Sequence, residues 1–182
     1  MQITNIEHFK PQTISHKIEE QLWDLLLLVD SEFIPPLSSR VGTTMQYLIP
    51  NETDKNISRY FMDILDQELL IAFDNKNTVI GFLSFILNYH ASILVPYSPS
   101  VYITTIAINP NYRKQGIGTK LGQKLEECIQ YKNQFLTFRT WSTNLANIAL
   151  AKKLNCKEFL RLDNNRGQNI DTIYFVKALN KN

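Results

Sequence analysis

The sequence predicts an α/β (α+β) chain, with a mixed central β-sheet of about seven strands flanked by four helices, in a single domain spanning 1–182. Three observations predict it. Apolar segments of strand or helix period follow one another in the order β, α, α, β, β, β, α, β, α, β, β. Leu69 to Phe73 and Val79 to Leu87 are apolar runs joined by Asp74-Asn75-Lys76-Asn77, turn residues that tolerate positive φ, and so form a hairpin. Val101 to Ile108 is a nearly continuous run of β-branched or small residues, with Thr104 and Thr105 inside it, suited to a strand buried on both faces.

In chain order, Ile3 to Phe9 is a short first strand closed by Pro11. Ser15 offers an N-cap ahead of Glu19 and Glu20, and Ile18, Leu22, Leu25, Leu26 and Val29 form an apolar helical stripe. Pro35 and Pro36 cannot continue that helix, and the segment Asp30 to Leu37 suits a shaped substrate wall and a rigid connector equally. Ser39 to Glu52 has little periodicity apart from an apolar patch at Met45 to Ile49. Ile57, Phe61, Ile64 and Leu65 mark a second helix, and Gly81 inside the hairpin points to a bulge or a close backbone approach. Tyr89 to Ser100, with His90 and Tyr97, is a loop that delivers the chain to the central strand. Pro110 ends that strand because it cannot donate to a further rung. Ile117, Leu121, Leu125, Cys128 and Ile129 share one face of a third helix. Phe135 to Trp141 is a strand, and Thr143 or Asn144 caps a fourth helix, Leu145 to Leu154, with Ala146, Ala149, Leu150 and Leu154 on one side. Glu158 to Leu162 and Thr172 to Ala178 close the chain as a hairpin.

Nineteen basic against seventeen acidic residues give +2 with no long run of like charge, which argues against nucleic acid or an anionic membrane as the main partner. No signal peptide and no run of membrane-spanning length is legible, so a cytoplasmic protein is expected. Cys128 and Cys156 lack metal-like neighbours and read as buried thiols, so no metal is expected.

The stretch that carries chemistry follows the central strand. Arg113-Lys114-Gln115-Gly116-Ile117-Gly118-Thr119 opens the third helix. A helix start has unpaired backbone N–H groups and a partial positive charge, so a glycine-lined start suits an anion such as a phosphate. Gly116 and Gly118 lack the Cβ atoms that would block that approach, and Arg113 and Lys114 add mobile positive charge. The spacing is not that of a Walker loop, and a dinucleotide fingerprint would need a third glycine where Leu121 stands.

From Ile106-Ala107-Ile108-Asn109-Pro110 through Leu121, this strand, turn and helix resemble the coenzyme A pyrophosphate motif of the GNAT superfamily of acetyl-CoA-dependent N-acyltransferases. The element order resembles that fold along nearly the whole chain. A second resemblance covers Asn144-Leu-Ala-Asn147-Ile-Ala149-Leu150-Ala151-Lys152-Lys153-Leu154-Asn155-Cys156. There Asn147 takes the place of an alanine, and Ala151 stands where many members carry a tyrosine proposed to protonate the leaving thiolate.

The resemblance implies acetyl transfer to a primary amine of a small molecule or protein, by direct attack in a ternary complex. It places acetyl-CoA on Ile106, Ala107, Ile108, Arg113, Lys114, Gln115, Gly116, Ile117, Gly118, Thr119, Asn144 and Asn147, with free strand amides at Ile106 to Ile108 polarising the thioester carbonyl. Many relatives place a glutamate early on the central strand. The nearest equivalent here is Tyr102, whose unperturbed pKa of about 10 makes it a poor base. Thr104 or Thr105 holding a water, Glu32 and His90 are the alternatives, and Tyr174 or Tyr97 stands in for the missing acid. The competing expectation is a coenzyme A-binding module with little or no activity. Relatives often dimerise, which leaves a homodimer open.

Overall fold

The computed structural model describes residues 5–44, 57–129 and 135–179. Strands β1 (Asn5–Phe9), β2 (Glu68–Phe73), β3 (Val79–Tyr89), β4 (Ser100–Ile108), β5 (Phe135–Trp141), β6 (Lys157–Leu162) and β7 (Thr172–Ala178) form one sheet in the order β1-β2-β3-β4-β5-β7-β6. Only β4 and β5 run parallel; the other neighbours are antiparallel. Helices α1 (His16–Val29) and α2 (Ile57–Leu65) cover one face of the sheet, and α3 (Ile117–Ile129) and α4 (Leu145–Lys153) cover the other.

The two faces are sorted by the period of two along each strand. Leu69, Ile71 and Phe73 pack with Leu22, Leu26, Tyr60 and Ile64 beneath α1 and α2. Leu70, Ala72, Val101, Ile103, Leu136 and Phe138 pack with Ile117, Leu121, Leu125 and Leu154 beneath α3 and α4. Each such large aliphatic side chain, wholly withdrawn from water, contributes about 1.5–3 kcal/mol. The uniformly buried β2 is the strand whose sequence shows no alternation, because both of its faces are covered.

Two irregularities open the centre of the sheet. The β4–β5 ladder joins Ser100 through Ile103 to Phe135 through Phe138 and, among the described residues, goes no further, although β4 continues to Ile108 and β5 to Trp141. On its other edge β4 carries a bulge: Ser84 faces Thr105 and Phe85 faces Ile103, leaving Thr104 as the extra residue. A bulge bends the strand that holds it, and here it sits where β4 leaves β5.

Several sequence expectations change in detail. Ser15 does occupy the N-cap of α1, but its backbone carbonyl takes the bonds from Ile18 and Glu19 and its side chain makes no cap. On α4 the buried side is Leu150, Ala151 and Leu154, while Ala146 and Ala149 are exposed; alanine carries too little apolar area to set which way a helix turns. Cys128 is half-buried and Cys156 buried. Gly81 satisfies both of its expected readings. The register slips beside it at Ile80, and a Cβ there would lie 2.6 Å from Ile108 Cδ1. The apolar patch Met45 to Ile49 lies outside the described residues, as do Ile3 and Thr4.

Candidate active site

The turn from Asn109 to Gly116 is built by local hydrogen bonds. Asn109 Oδ1 accepts from the Asn111 amide at 3.0 Å, and the Asn109 carbonyl accepts from the Tyr112 amide at 2.9 Å. The Tyr112 hydroxyl donates to Asp74 Oδ2 at 3.2 Å, tying the turn to the β2–β3 hairpin. Lys114 and Gly116 take the left-handed conformation, at φ +61° and +80°. That reverses the chain into α3, whose first ladder bond runs from the Lys120 amide to the Gly116 carbonyl at 3.0 Å. The amides of Ile117, Gly118 and Thr119 therefore precede the ladder and face outward as free donors.

The two glycines have different tasks. A Cβ on Gly116 would meet nothing within 4 Å, so it would project into open space. A Cβ on Gly118 would instead point at Leu150 Cδ2, 3.8 Å away on α4. Open space thus lies beyond Gly116, while at Gly118 an added Cβ would meet Leu150 at an ordinary contact distance. Arg113, Lys114, Gln115 and Gly116 are exposed, whereas the Ile117 side chain is sunk in the core and only its backbone faces the turn. An open left-handed glycine at a helix start with free amides suits an anion.

Glu32 lies beside this turn. Arg113 Nη2 donates to Glu32 Oε2 at 2.7 Å, and Arg113 Nε donates to the Ile108 carbonyl at 3.1 Å. The 30–40 segment then runs from the coenzyme turn across the sheet, with Phe33 packed on Trp141 at a ring separation of 5.7 Å. Between these ends lies the gap where β4 and β5 part. In β4 alternate amides point away from β3; the Asn109 amide bonds back to the Ile80 carbonyl, so those of Ile106 and Ile108 point into the gap and that of Ala107 does not. At the far lip, Asn144 caps α4 by accepting from the Asn147 amide at 3.1 Å; its side-chain NH2 is not used in the cap.

Tyr102 faces the α1/α2 side, buried and stacked on Tyr89 at 4.6 Å. Burial pushes its phenol well above the ordinary tyrosine value, so it keeps its proton across the neutral range. The Thr104 hydroxyl bonds Ser84 Oγ at 2.7 Å and Gln67 Oε1. Gln67 in turn donates to Thr43, which donates to Asp63, so this network locks the bulge to α2. His90 is exposed on the β3–β4 loop with Ser98 as its partner, and Tyr97 stacks edge-on against Phe135 and Phe159. Ala151 is fully enclosed in the α3/α4 core. The structure thus places Tyr102 within the paired part of the β4–β5 ladder, Thr104 in the β4 bulge and Glu32 beside the 109–116 turn.

Three residues that the sequence reading did not single out meet on the α1/α2 face: Arg40, Arg139 and Arg166. Arg40 donates through Nε and Nη2 to the Pro35 carbonyl at 3.0 and 2.8 Å, and Arg166 donates through Nη1 to the carbonyl of Ile34 and through Nε to Thr172 Oγ1. Arg40 Nη2 also reaches the Ile34 carbonyl at 3.3 Å, so two guanidiniums converge on one oxygen. Arg139 Nη1 donates to the Tyr174 hydroxyl at 3.3 Å. Burial, and then Arg40 and Arg139, bring Arg166 down to about 9, and burial also lowers Arg40. The one legible signal was Arg139, a charge set between Phe138 and Thr140 in an otherwise uncharged strand; nothing in the spacing joins it to the two loop arginines.

Among the described residues, no group of three or more His, Cys, Asp or Glu is placed to hold a metal ion, and no helix is long and apolar enough to cross a membrane. A family model described as the acetyltransferase (GNAT) family matches residues 37–155. No curated protein matches the sequence. Among solved structures, the ribosomal-protein-alanine N-acetyltransferase of Brucella melitensis is 20% identical, with a TM-score of 0.66 over 97% of this chain and 100% of its own. Arabidopsis thaliana NAA60, in complex with a bisubstrate analogue, is 20% identical with a TM-score of 0.66 over 98% and 100%. An N-acetyltransferase from Staphylococcus aureus Mu50 is 17% identical, again with a TM-score of 0.66, over 97% and 100%. At these identities the structures share the fold.

Proposed function

The chain belongs to the acetyltransferase (GNAT) family, and from that premise we propose that it passes the acetyl group of acetyl-CoA to a primary amine by direct attack in a ternary complex. The observation that carries this reading is the pairing of two openings: free helix-start amides behind an open Gly116, and a parted β4–β5 seam beside them.

When bound, acetyl-CoA supplies an acetyl group already activated as a thioester. The amides of Ile117 to Thr119 hold its diphosphate, helped by Lys114 and by Arg113, which exchanges Glu32 for phosphate. The β4 amides of Ile106 and Ile108, which by strand parity point away from β3, hydrogen-bond and polarise the acetyl carbonyl, while that of Ala107 faces β3. Asn144 offers its free NH2 to the pantetheine arm, and Asn147 helps to seat it through the capped helix start.

For the amine's proton, three facts support a route through water. Tyr102 holds its own proton too firmly to take another's, Thr104 is committed to Ser84 and Gln67, and Glu32 is paired at the coenzyme turn. Tyr102 then serves as a donor that orients the amine or its water. A thiol leaving group with a pKa of about 8.5 departs without a dedicated acid at modest cost, which accommodates Ala151.

Free-thiol release from acetyl-CoA with a panel of amines tests the proposal, alongside calorimetric binding of acetyl-CoA to the folded chain. Amine-dependent release is expected. Tight binding with no release for any amine would reduce the chain to a coenzyme-binding module, and no binding would remove the reading altogether.

A further inference from the structure

The face of the β4–β5 gap opposite the coenzyme turn carries a charge imbalance. Arg139 is the first β5 residue beyond the last β4 pair, Ile103 with Phe138, so it stands at the point where the seam opens. By strand parity it shares the α1/α2 face with Trp141 of β5, Tyr102 of β4 and Tyr174 of β7, since Phe138, Ile103, Ile173 and Phe175 point the other way into the α3/α4 core. Arg166 lies over Trp141, its Cζ 5.4 Å from the ring, and Arg40 lies over Phe33 at 5.5 Å. The Ile34 carbonyl is shared by Arg40 and Arg166.

Three guanidiniums are thus gathered where solvent is scarce, and among the described residues none of them pairs with a carboxylate. Their partners are carbonyls, a threonine, a phenol and aromatic faces, which satisfy N–H groups but leave the charge unbalanced. Burying such charge without a counter-ion is costly, so a site built this way calls for an anion. Donors remain for it. The Tyr60 hydroxyl is a further partner of Arg40, and among the described residues no hydrogen bond occupies Arg166 Nη2 or Arg139 Nε and Nη2.

We infer that the acceptor is a small anionic amine, an amino acid or related compound whose carboxylates dock on Arg40, Arg139 and Arg166 while its amino group faces the β4–β5 gap. This rests on the acetyltransferase reading above. The geometry supports the division of labour: the coenzyme turn opens α3 on one face, the arginines lie on the other, and the stretch of β4 from Thr104 to Ile108, which has no partner on β5, lets the two faces communicate. The guanidinium fork matches a carboxylate bidentately. Three positive charges favour two carboxylates over one.

The test is a panel of primary amines with acetyl-CoA: an aminodicarboxylate such as aspartate or glutamate, a monocarboxylate such as β-alanine, an aminoalkylphosphonate, a neutral amine, a polyamine and a peptide N-terminus. The expected order of kcat/KM puts the dicarboxylate first and the monocarboxylate second. Arg139→Met is expected to lower kcat/KM for the dicarboxylate about 10- to 100-fold, mostly through KM, with acetyl-CoA binding unchanged and Arg139→Lys recovering part of the loss. Arg139 is the variant of choice because among the described residues its hydrogen bond is to Tyr174, whereas Arg40 also holds the 34–35 backbone. A readout independent of turnover is thermal protection of the full chain by succinate or glutarate, expected for the wild type and absent in Arg139→Met. Preference for the phosphonate would assign the anion to a different acid, and preference for the neutral amine, polyamine or peptide would overturn the inference. So would absent protection, or protection abolished by coenzyme A, which would put the anion in the coenzyme turn. If acetyl-CoA itself fails to bind, the acetyltransferase reading falls first; if it binds and non-acidic amines are acetylated, only the present inference falls.

Discussion

Replacing Gly116 and Gly118 one at a time by alanine separates the coenzyme cradle from the fold. At Gly116, φ of +80° lies in the left-handed region, where a side chain costs about 1–2 kcal/mol, so Gly116→Ala is expected to lower the melting midpoint by roughly 2–8 °C in a chain of this length. Its methyl meets no protein atom within 4 Å and so projects into open space beside the α3 start, where the proposed diphosphate would lie. Displacing one charge-assisted hydrogen bond costs about 1.5–3 kcal/mol, which raises the acetyl-CoA Kd about 10- to 150-fold. At Gly118 the methyl reaches Leu150 at an ordinary contact distance of 3.8 Å. Alanine there favours the helix by up to about 1 kcal/mol, so the midpoint is expected to hold or rise and the Kd to stay within about threefold. Calorimetry and thermal melts of the two variants supply both numbers, and Gly167→Ala, at φ +126°, serves as the control for backbone strain away from the turn. Equal binding losses at Gly116 and Gly118, or normal binding by a folded Gly116→Ala, would refute the assignment of the diphosphate to this turn.

Three further outcomes are expected. Glu32→Gln releases Arg113 from an exposed ion pair worth at most about 1 kcal/mol, so acetyl-CoA should bind up to about fivefold more tightly; weaker binding in calorimetry would show that Glu32 positions Arg113 for the ligand. Tyr102→Phe should cost less than about tenfold in kcat and leave the pH–rate profile unchanged in shape below pH 9, since the phenol keeps its proton there; a loss beyond about a hundredfold would restore Tyr102 as the base. The Asp74 carboxyl is held below its ordinary value, first by the Thr78 amide and with help from those of Lys76 and Tyr112's hydroxyl. Its contribution is therefore complete above the unfolded pKa of about 3.9 and is lost as pH falls through the lower folded value. Asp74→Ala should melt about 2–6 °C lower at pH 7, and this deficit should shrink as pH falls below about 4; a deficit that does not diminish in acid would contradict the assignment.

How legible the molecule was depended on the range of the interaction involved. Helix α3 and strand β5 were readable almost to the residue, because their apolar spacing and end signals lie within a dozen positions of one another. The Asp74 to Asn77 turn was readable for the same reason, and Asn77 does take a positive φ of 57°. Alanine-rich α4 was read onto the wrong side at Ala146 and Ala149, since its few large side chains alone decided the face. The Ser15 cap was a matter of a single rotamer, which no local pattern determines. Ala151 illustrates the other limit. The sequence shows that the usual phenol is missing, but only packing shows that the position is enclosed, so that Ala151→Tyr would overfill the core by about 1–3 kcal/mol or more.

By itself the sequence determined the order of elements, the glycine-lined start of α3 and hence a turn competent for a diphosphate, since all of these arise from residues close together in the chain. The tertiary structure alone decided where β4 parts from β5, which of the two glycines faces open space, that Arg113 reaches Glu32 across 81 positions, and that Arg40, Arg139 and Arg166 meet. Those are contacts between distant segments. Their geometry is set by how the 30–44 loop and the β6–β7 hairpin fold over one sheet face, and hydrophobic periodicity carries no record of which charges that folding brings together.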